Sequence, residues 1–137
     1  MNHQCLTVLK NTLQCSAPLE GCALLLGLVD ERNAVHLNHV WPCCNVWHPP
    51  AARDKRFALD PREQLAAQRW SRVRGERVIG VAHGHPRTDA FPSIHDCRLG
   101  LVDSLMVIGG VDGGLRAWWL NADRTVRVVP ISVQDTH

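Results

Sequence analysis

The stretch VIGVAHGHP, at residues 78–86, joins a short apolar run to two histidines. The run at residues 78–82 is short and rich in Val and Ile, which is typical of a buried β-strand. Side chains alternate between the two faces of a strand, so His83 and His85 face the same side. Both imidazoles can therefore reach one metal ion at the end of this strand.

An aspartate further along the chain completes a set of metal ligands. Ten residues separate His85 from Asp96, which is enough for a loop and the start of a helix near Ser93. In the first turn of that helix, Asp96 can face back towards the strand end. Two imidazoles and one carboxylate leave a zinc ion one open position for water, as in catalytic sites. The Ser-x-x-Asp pattern is also a helix capping box, which is compatible with a ligand at Asp96.

The segment before this strand predicts one helix and two strands. Leucines at positions 6, 9 and 13 share one face of an amphipathic helix. Residues 21–29 are almost continuously apolar and predict a buried strand, paired with a second strand over residues 34–41. Glu20 adjoins the apolar strand, where a carboxylate is costly unless it is paired or close to a metal. Glu20 is therefore a candidate site residue.

A long loop and a second helix lead to the histidine strand. Residues 42–59 are rich in Pro, Cys and Arg, and we expect an irregular loop, since loops this long are functional or mobile. Asp60 followed by Pro61 predicts the start of a helix, and Gly75 predicts its end.

The remainder of the chain predicts strands. Residues 105–108 and 115–120 form two strands that meet at a DGG turn, residues 112–114, and a last strand covers 125–133. In the strand over residues 115–120, side chains alternate between the two faces, so one of Trp118 and Trp119 faces inward and the other outward. Together the elements predict a single α/β domain over residues 1–137, with one core.

Composition excludes several classes of protein. The 137 residues carry a net charge of +2 without a concentrated basic face, which argues against nucleic-acid binding. No apolar run approaches the length of a membrane span, and the N-terminus lacks signal-peptide features, so we expect a cytoplasmic protein. The six cysteines include no CxxC pair, and we expect free thiols.

These patterns together resemble the JAMM/MPN zinc metalloprotease family. The family signature has His-x-His, ten residues and Asp, with Pro-Ser before the Asp, as at positions 83–96 here. EGCALLLG, residues 20–27, is similar to the family pattern Glu-x-x-Gly-x-Leu-x-Gly, and RFALDP, residues 56–61, resembles the prokaryotic stand-alone branch. The resemblance covers roughly residues 19–120. The chain departs from the family at Gly84, where Ser is usual, and at Ala23, where Gly is usual.

The resemblance implies a fold, a set of functional residues and a substrate class. The fold would be MPN-like, a mixed sheet flanked by helices that is similar to the fold of cytidine deaminases. Zinc would be bound by His83, His85, Asp96 and a water molecule, with Glu20 as general base and Ser93 as donor to the oxyanion. The implied activity is hydrolysis of an amide or isopeptide bond next to the Gly-Gly tail of a ubiquitin-like or β-grasp sulfur-carrier protein.

Two other functions are compatible with parts of the sequence pattern. Some members of the family lack the metal and act as binding or scaffold modules, although all five functional residues are intact here. A zinc deaminase would need His-x-Glu followed by Pro-Cys-x-x-Cys, whereas His85 stands in place of that Glu.

Two further groups of residues invite a functional interpretation. Cys43, Cys44 and His48 could form a second metal site, although adjacent cysteines are poorly spaced for chelation. Arg53 and Arg56, with an exposed Trp47, could contact an acidic carrier surface, and a mobile loop with solvated charges is the alternative.

Overall fold

A computed structural model describes residues 1–134 as one six-stranded mixed sheet with helices on both faces. Its elements are α1 (His3–Cys15), β1 (Cys22–Val29), β2 (Val35–Cys43), a 3-10 helix (Pro50–Ala52), α2 (Pro61–Val73), β3 (Arg77–Gly84), α3 (Ile94–Leu99), β4 (Ser104–Gly109), β5 (Leu115–Leu120) and β6 (Val126–Val129). The strand order is β2-β1-β3-β4-β5-β6, in which β3 and β4 are parallel and the other neighbours antiparallel. The predicted fold class is confirmed. No helix within residues 1–134 is long and apolar enough to cross a membrane.

Helix α1 covers one face of the sheet. The Asn2 side chain caps its first turn by accepting a hydrogen bond from the Cys5 N–H. Leu9 and Leu13 are buried among apolar side chains of the central strands, including Leu25 and Val107. The predicted amphipathic helix is therefore confirmed.

The position of strand β1 in the sheet accounts for its run of apolar residues. It lies between β2 and β3, and its first six residues are buried. Leu25 packs in the cluster beneath α1, whereas Leu24 and Leu26 pack against Ala67 of α2 on the opposite face. Because consecutive side chains are buried on opposite faces, the strand is apolar at consecutive positions. Burying each leucine contributes about 2 kcal/mol.

Two predicted strand boundaries are wrong. Strand β2 continues beyond Trp41, because Pro42 and Cys43 still pair with Ala23 and Cys22 of β1. A proline is tolerated there because β2 is an edge strand. The last strand ends at Val129 instead of residue 133. Pro130 follows it and has no N–H to donate to the ladder.

The helix boundaries and the hairpin turn agree with the prediction. Asp60 caps α2 by accepting a hydrogen bond from the Arg62 N–H, and Pro61 is the first helical residue. Gly75, just beyond the helix, has a φ of +72°. In the β4–β5 turn, Gly113 has a φ of +82°, a backbone conformation that favours glycine.

Both tryptophans of β5 contact apolar side chains. Trp118 is buried on one face with Met106 and Ile108, while Trp119 is half-buried against the cluster beneath α1. The outward-facing tryptophan that alternation predicts therefore lies against packed side chains, because both faces of the sheet are covered.

The parallel pair brings functional residues to one edge of the sheet. Strands β3 and β4 end side by side, with Gly84 opposite Gly109. Antiparallel pairing places the start of β1 at the same edge, where the Gly84 N–H donates to the Gly21 carbonyl over 2.9 Å. A Cβ at Gly84 would lie 3.3 Å from the Leu13 carbonyl oxygen, so Gly84 allows the end of α1 to approach closely.

Candidate metal centre

Three side chains converge at the carboxyl end of β3. The Nε2 atoms of His83 and His85 are 3.2 Å apart, and each lies 3.1 Å from Oδ2 of Asp96. Both histidines are buried, at 1% and 7% exposure. His83 lies in β3, His85 follows the last residue of that strand, and Asp96 lies in the first turn of α3.

The spacing of these atoms fits a tetrahedral metal ion. Zinc bonds of about 2.0–2.2 Å separate neighbouring ligand atoms in a tetrahedral site by about 3.3 Å or slightly more. The three observed separations, 3.1–3.2 Å, are close to that value. Within residues 1–134, no other cluster of three histidine, cysteine or acidic side chains has ligand atoms close enough to hold a metal. The donor set of two imidazoles and a carboxylate therefore fits zinc.

Each histidine is held by a different contact on its far side. His85 Nδ1 lies 2.9 Å from the Asp89 carbonyl oxygen, so it donates to that oxygen and directs Nε2 towards the cluster. His83 Nδ1 is buried, and no hydrogen-bond partner for it exists in the described part of the chain. The His83 ring instead stacks on Phe57, with 4.5 Å between ring centres. The sequence patterns predict neither Asp89 nor Phe57 as part of the site.

Asp96 remains ionised because of its hydrogen bonds. Burial acts to raise its pKa, but the hydrogen bonds with His83 and His85 outweigh burial and hold the pKa well below its usual range. The Ser93 backbone N–H also donates to Oδ2 over 2.8 Å. For His85, burial acts to lower the pKa, but the hydrogen bonds to Asp96 and Asp89 raise it.

Ser93 caps α3 as the sequence predicts. Its Oγ accepts a hydrogen bond from the Asp96 N–H over 3.1 Å, which completes a capping box with the aspartate side chain. The hydroxyl thus acts as an acceptor towards the helix, and its own proton remains available to another acceptor. Ser93 is exposed, so a ligand at the metal centre can reach it.

Glu20 lies at the same edge, two residues before the start of β1. It is 6% exposed, and its backbone N–H donates to the Arg53 carbonyl over 2.8 Å. Burial raises the pKa of the Glu20 carboxyl to about 7, while the positive charge of His85 acts to lower it and Asp96 acts to raise it. Glu20 can therefore both accept and release a proton near neutral pH.

This pKa predicts how pH affects the stability of the metal-free protein. Between pH 4.5 and about 7, Glu20 is protonated in the folded state and ionised in the unfolded state, so stability falls as pH rises. A pKa rise from 4.5 to about 7 corresponds to about 3 kcal/mol at pH 8. Glu20→Gln removes this loss, because the amide does not ionise.

Urea unfolding with chelator present, at pH 5 and pH 8, measures the effect. We expect Glu20→Gln to gain stability relative to wild type as pH rises, whereas Glu31→Gln, at an exposed turn position, should follow the wild-type curve. Parallel pH curves for Glu20→Gln and wild type would contradict the burial of an ionisable Glu20.

Comparison with known proteins identifies the family. A model of prokaryotic homologues of the JAB domain matches residues 3–121. The chain belongs to this JAB/MPN family. The resemblance noted from the sequence is thereby confirmed at the level of family and fold. Among curated proteins, no significant match exists.

Solved structures with the same fold as this JAB domain include the following three. A Desulfitobacterium hafniense protein is 26% identical with a TM-score of 0.84, over 98% of this chain and 92% of that one. A Salinibacter ruber protein is 28% identical with a TM-score of 0.73, over the same shares of 98% and 92%. A JAB1/MPN domain protein from Archaeoglobus fulgidus is 18% identical with a TM-score of 0.59, over 94% and 93%.

The loop that follows β2 in this JAB domain is hydrogen-bonded to the metal centre. The Asn45 side-chain amide donates to the carbonyls of Glu20, Arg53 and Arg56 over 3.0, 3.3 and 2.8 Å, respectively. Asn45 also forms a β-bridge with Leu59. The irregular loop predicted over residues 42–59 is therefore anchored at both ends, and it presents Phe57 to His83.

The predicted carrier-contacting residues are engaged within this loop. Arg53 Nε donates to the Trp47 carbonyl over 2.8 Å, and the Arg56 guanidinium lies 5.7 Å from the centre of the Trp47 ring. Trp47 is half-buried, so the expectation that it is exposed is wrong. The Arg53 carbonyl also accepts the hydrogen bond from the Glu20 N–H. A substitution at Arg53 can therefore change the position of Glu20 in the metal centre as well as the charge of the loop surface.

The cysteines of the JAB domain are free thiols, as predicted. Cys22 is fully buried, and burial raises the pKa of its thiol to about 12. Burial likewise raises the pKa of Cys43 to about 11. Cys43, Cys44 and His48 do not converge on a common point within the described residues, so the second metal site is not formed there.

Proposed function

We propose that this JAB domain is a zinc-dependent hydrolase that cleaves an amide bond next to the Gly-Gly tail of a β-grasp carrier protein. The observation that carries the proposal is the buried Glu20 beside the histidine–aspartate cluster. A scaffold needs no carboxylate at this position, and burying one lowers its stability. A hydrolase needs a proton acceptor there, with a pKa near the working pH.

The residues of the cluster have separate roles in this proposal. His83, His85 and Asp96 would hold zinc, which lowers the pKa of bound water and polarises a carbonyl oxygen. Glu20 accepts the proton of the attacking water and passes it to the leaving amine. Ser93 donates its hydroxyl hydrogen to the developing oxyanion. Asp89 and Phe57 fix the orientations of His85 and His83 and exclude water from their far sides.

The surroundings of α3 support a protein substrate with a narrow tail. Ile94 and Leu99 are 60% and 67% exposed, next to Ser93 and Asp96, and Phe91 is 49% exposed. These side chains provide an apolar surface beside the site. Only residues 100–103 connect α3 to β4, which leaves no room for the insertion loop of polyubiquitin-cleaving relatives. A small carrier with a glycine tail matches an apolar surface beside a confined centre.

The direct test uses a β-grasp carrier extended beyond its Gly-Gly tail, with Ser93→Ala as the informative variant. Wild-type protein should cleave after the second glycine, and Ser93→Ala should lower kcat by about 10²–10³-fold, the usual loss for one oxyanion donor. Ser93→Thr keeps a hydroxyl and should retain more activity than Ala. Mass spectrometry of the products measures the cleavage.

Two outcomes would oppose this assignment. Carrier binding without cleavage by zinc-loaded wild type favours the scaffold function. A Ser93→Ala variant that retains zinc and full kcat contradicts the role of the hydroxyl. Because Ser93 also caps α3, circular dichroism and zinc content must match wild type before the rates are compared.

A further inference from the structure

Two loops flank the metal centre, and one ion pair joins them. The first loop, residues 44–60, connects β2 to α2, and the second, residues 85–93, connects β3 to α3. A guanidinium nitrogen of Arg87 lies 3.5 Å from Oδ2 of Asp54. Within residues 1–134, no other ion pair and no hydrogen bond connects these two loops. The roles proposed above use neither of the two side chains.

Asp54 is attached to the group that holds Glu20. The Arg53 carbonyl, which accepts the Glu20 N–H over 2.8 Å, belongs to the planar peptide unit that ends at the Asp54 Cα. Holding Asp54 in place therefore fixes the direction of this acceptor. Three residues further along the same loop, the Phe57 ring stacks on His83. The Asp54 side chain is only 23% exposed, so it lies mostly within the loop.

Arg87 is attached to the ligand side of the centre through a stiff connection. Only Pro86 separates it from His85, and the proline ring fixes one of the two soft backbone dihedrals of that residue. The His85 N–H donates to the Gly109 carbonyl over 2.7 Å, and its Nδ1 donates to the Asp89 carbonyl. The backbone beneath Arg87 is therefore fixed, although the side chain itself is exposed.

Each member of the pair depends on the other. Within residues 1–134, neither Asp54 nor Arg87 forms a second ion pair or a side-chain hydrogen bond. The arginines beside Asp54 in the loop, Arg53 and Arg56, contact Trp47 instead. Removing either charge of the pair therefore leaves the two loops without a polar connection. A partly exposed ion pair typically changes a conformational equilibrium by about twofold to fivefold.

We propose that Asp54 and Arg87 are positioning residues whose ion pair fixes Glu20 relative to His85. The proposal rests on the proposed hydrolase activity, in which Glu20 acts as the general base. The contacts run from Glu20 through the Arg53 carbonyl to Asp54, and across the ion pair to Arg87 and the histidine side. The reaction needs the carboxylate at a fixed distance from the ligand side chains, and a small displacement of a reacting group lowers the rate.

Hydrogen exchange at the Glu20 amide tests this coupling without turnover. The Glu20 N–H donates to the Arg53 carbonyl, so its exchange rate measures how often this hydrogen bond opens. In ¹⁵N-labelled protein as purified, Asp54→Asn and Arg87→Gln should each accelerate this exchange about twofold to fivefold. The Val46 amide donates to a carbonyl at the base of the same loop and should keep its wild-type rate.

Reciprocal charges and a second ion pair show whether the pair itself is the cause. Exchanging the charges, Asp54→Arg with Arg87→Asp, should restore most of the wild-type exchange rate, which neither single change does. Arg62 forms an exposed pair with Asp60 over 3.0 Å at the start of α2. Arg62→Gln removes the same charge outside the centre and should leave the Glu20 amide unchanged. Salt should narrow the difference between wild type and the single variants, because it screens exposed pairs.

Carrier cleavage shows whether the coupling serves the reaction. Asp54→Asn and Arg87→Gln should lower kcat about twofold to fivefold and leave KM nearly unchanged, because the pair acts through Glu20. The double charge exchange should restore kcat, and Arg62→Gln should match wild type. A general loss of stability would not be reversed by exchanging the two charges.

The outcomes separate this proposal from the proposed function. Unchanged exchange of the Glu20 amide in both single variants, or equal acceleration at Val46, would overturn the coupling even if the protein cleaves carriers. Altered exchange with unchanged kcat would overturn the role of the pair in the reaction. A protein that shows the coupling but cleaves no carrier would refute the hydrolase function, while the link between Asp54, Arg87 and Glu20 would stand.

Discussion

Glu20→Gln is expected to lower kcat for a Gly-Gly-extended carrier by about 10²–10⁴-fold, while zinc content and fold are retained. The amide is similar in size to the carboxylate but cannot accept the proton of the attacking water. Glu20 is not one of the three clustered ligand residues, so the substitution leaves the metal-binding set unchanged. Stopped assays analysed by mass spectrometry measure the rate, and elemental analysis measures the zinc.

The stability of the same variant provides an internal control. In metal-free protein at pH 8, Glu20→Gln should be more stable than wild type, because it removes a buried ionisable carboxyl. A loss of activity in a more stable protein cannot be attributed to unfolding. Glu31→Gln should change neither property. Unchanged kcat in Glu20→Gln would exclude Glu20 as the general base.

Substituting both histidines, His83→Ala with His85→Ala, is expected to abolish zinc binding. Wild-type protein should hold about one zinc per chain, and the double variant should hold less than about a tenth of that, because a single carboxylate is a weak zinc ligand. The domain should stay largely folded, since the leucines of β1 and α1 form the core without these side chains. Inductively coupled plasma mass spectrometry measures the metal, and circular dichroism measures the fold.

A surface histidine provides the matched control for this experiment. His39 contacts Glu76 over 3.3 Å, lies at the sheet edge and is outside the cluster, so His39→Ala should retain wild-type zinc. Undiminished zinc in the double variant would show that the ion binds elsewhere. A double variant without zinc and with lost helical signal would require the single substitutions to separate the metal from folding.

Local sequence patterns were sufficient to predict the residues of the cluster. The His-x-His spacing uses the two-residue period of a strand, and the capping box fixes Asp96 in the first turn of α3. Helix signals are equally local, so the start of α2 at Pro61 and its end before Gly75 were predicted correctly. The predicted end of β6 is wrong, because the pattern over residues 125–133 predicts one strand although Pro130 interrupts the ladder.

Contacts between segments distant in sequence were not predictable in the same way. Phe57 stacks on His83, 26 positions along the chain. Nothing in the local pattern of residues 42–59 indicates that Asn45 ties this loop to the Glu20 carbonyl. The expectation that Trp47 is exposed is wrong for the same reason. Its contacts with Arg53 and Arg56 form within an irregular loop, where no helix or strand periodicity predicts which side chains meet.

The sequence by itself determined the family and the identities of the candidate ligands, because these follow from the spacing of residues along the chain. Only the tertiary structure decided the environment of those residues. The burial that raises the pKa of Glu20 to about 7 arises from segments packed around it. A cavity lined in part by His85 lies where α1 meets the ends of β3 and β4. Burial and cavities are properties of several packed segments together, and no single segment encodes them.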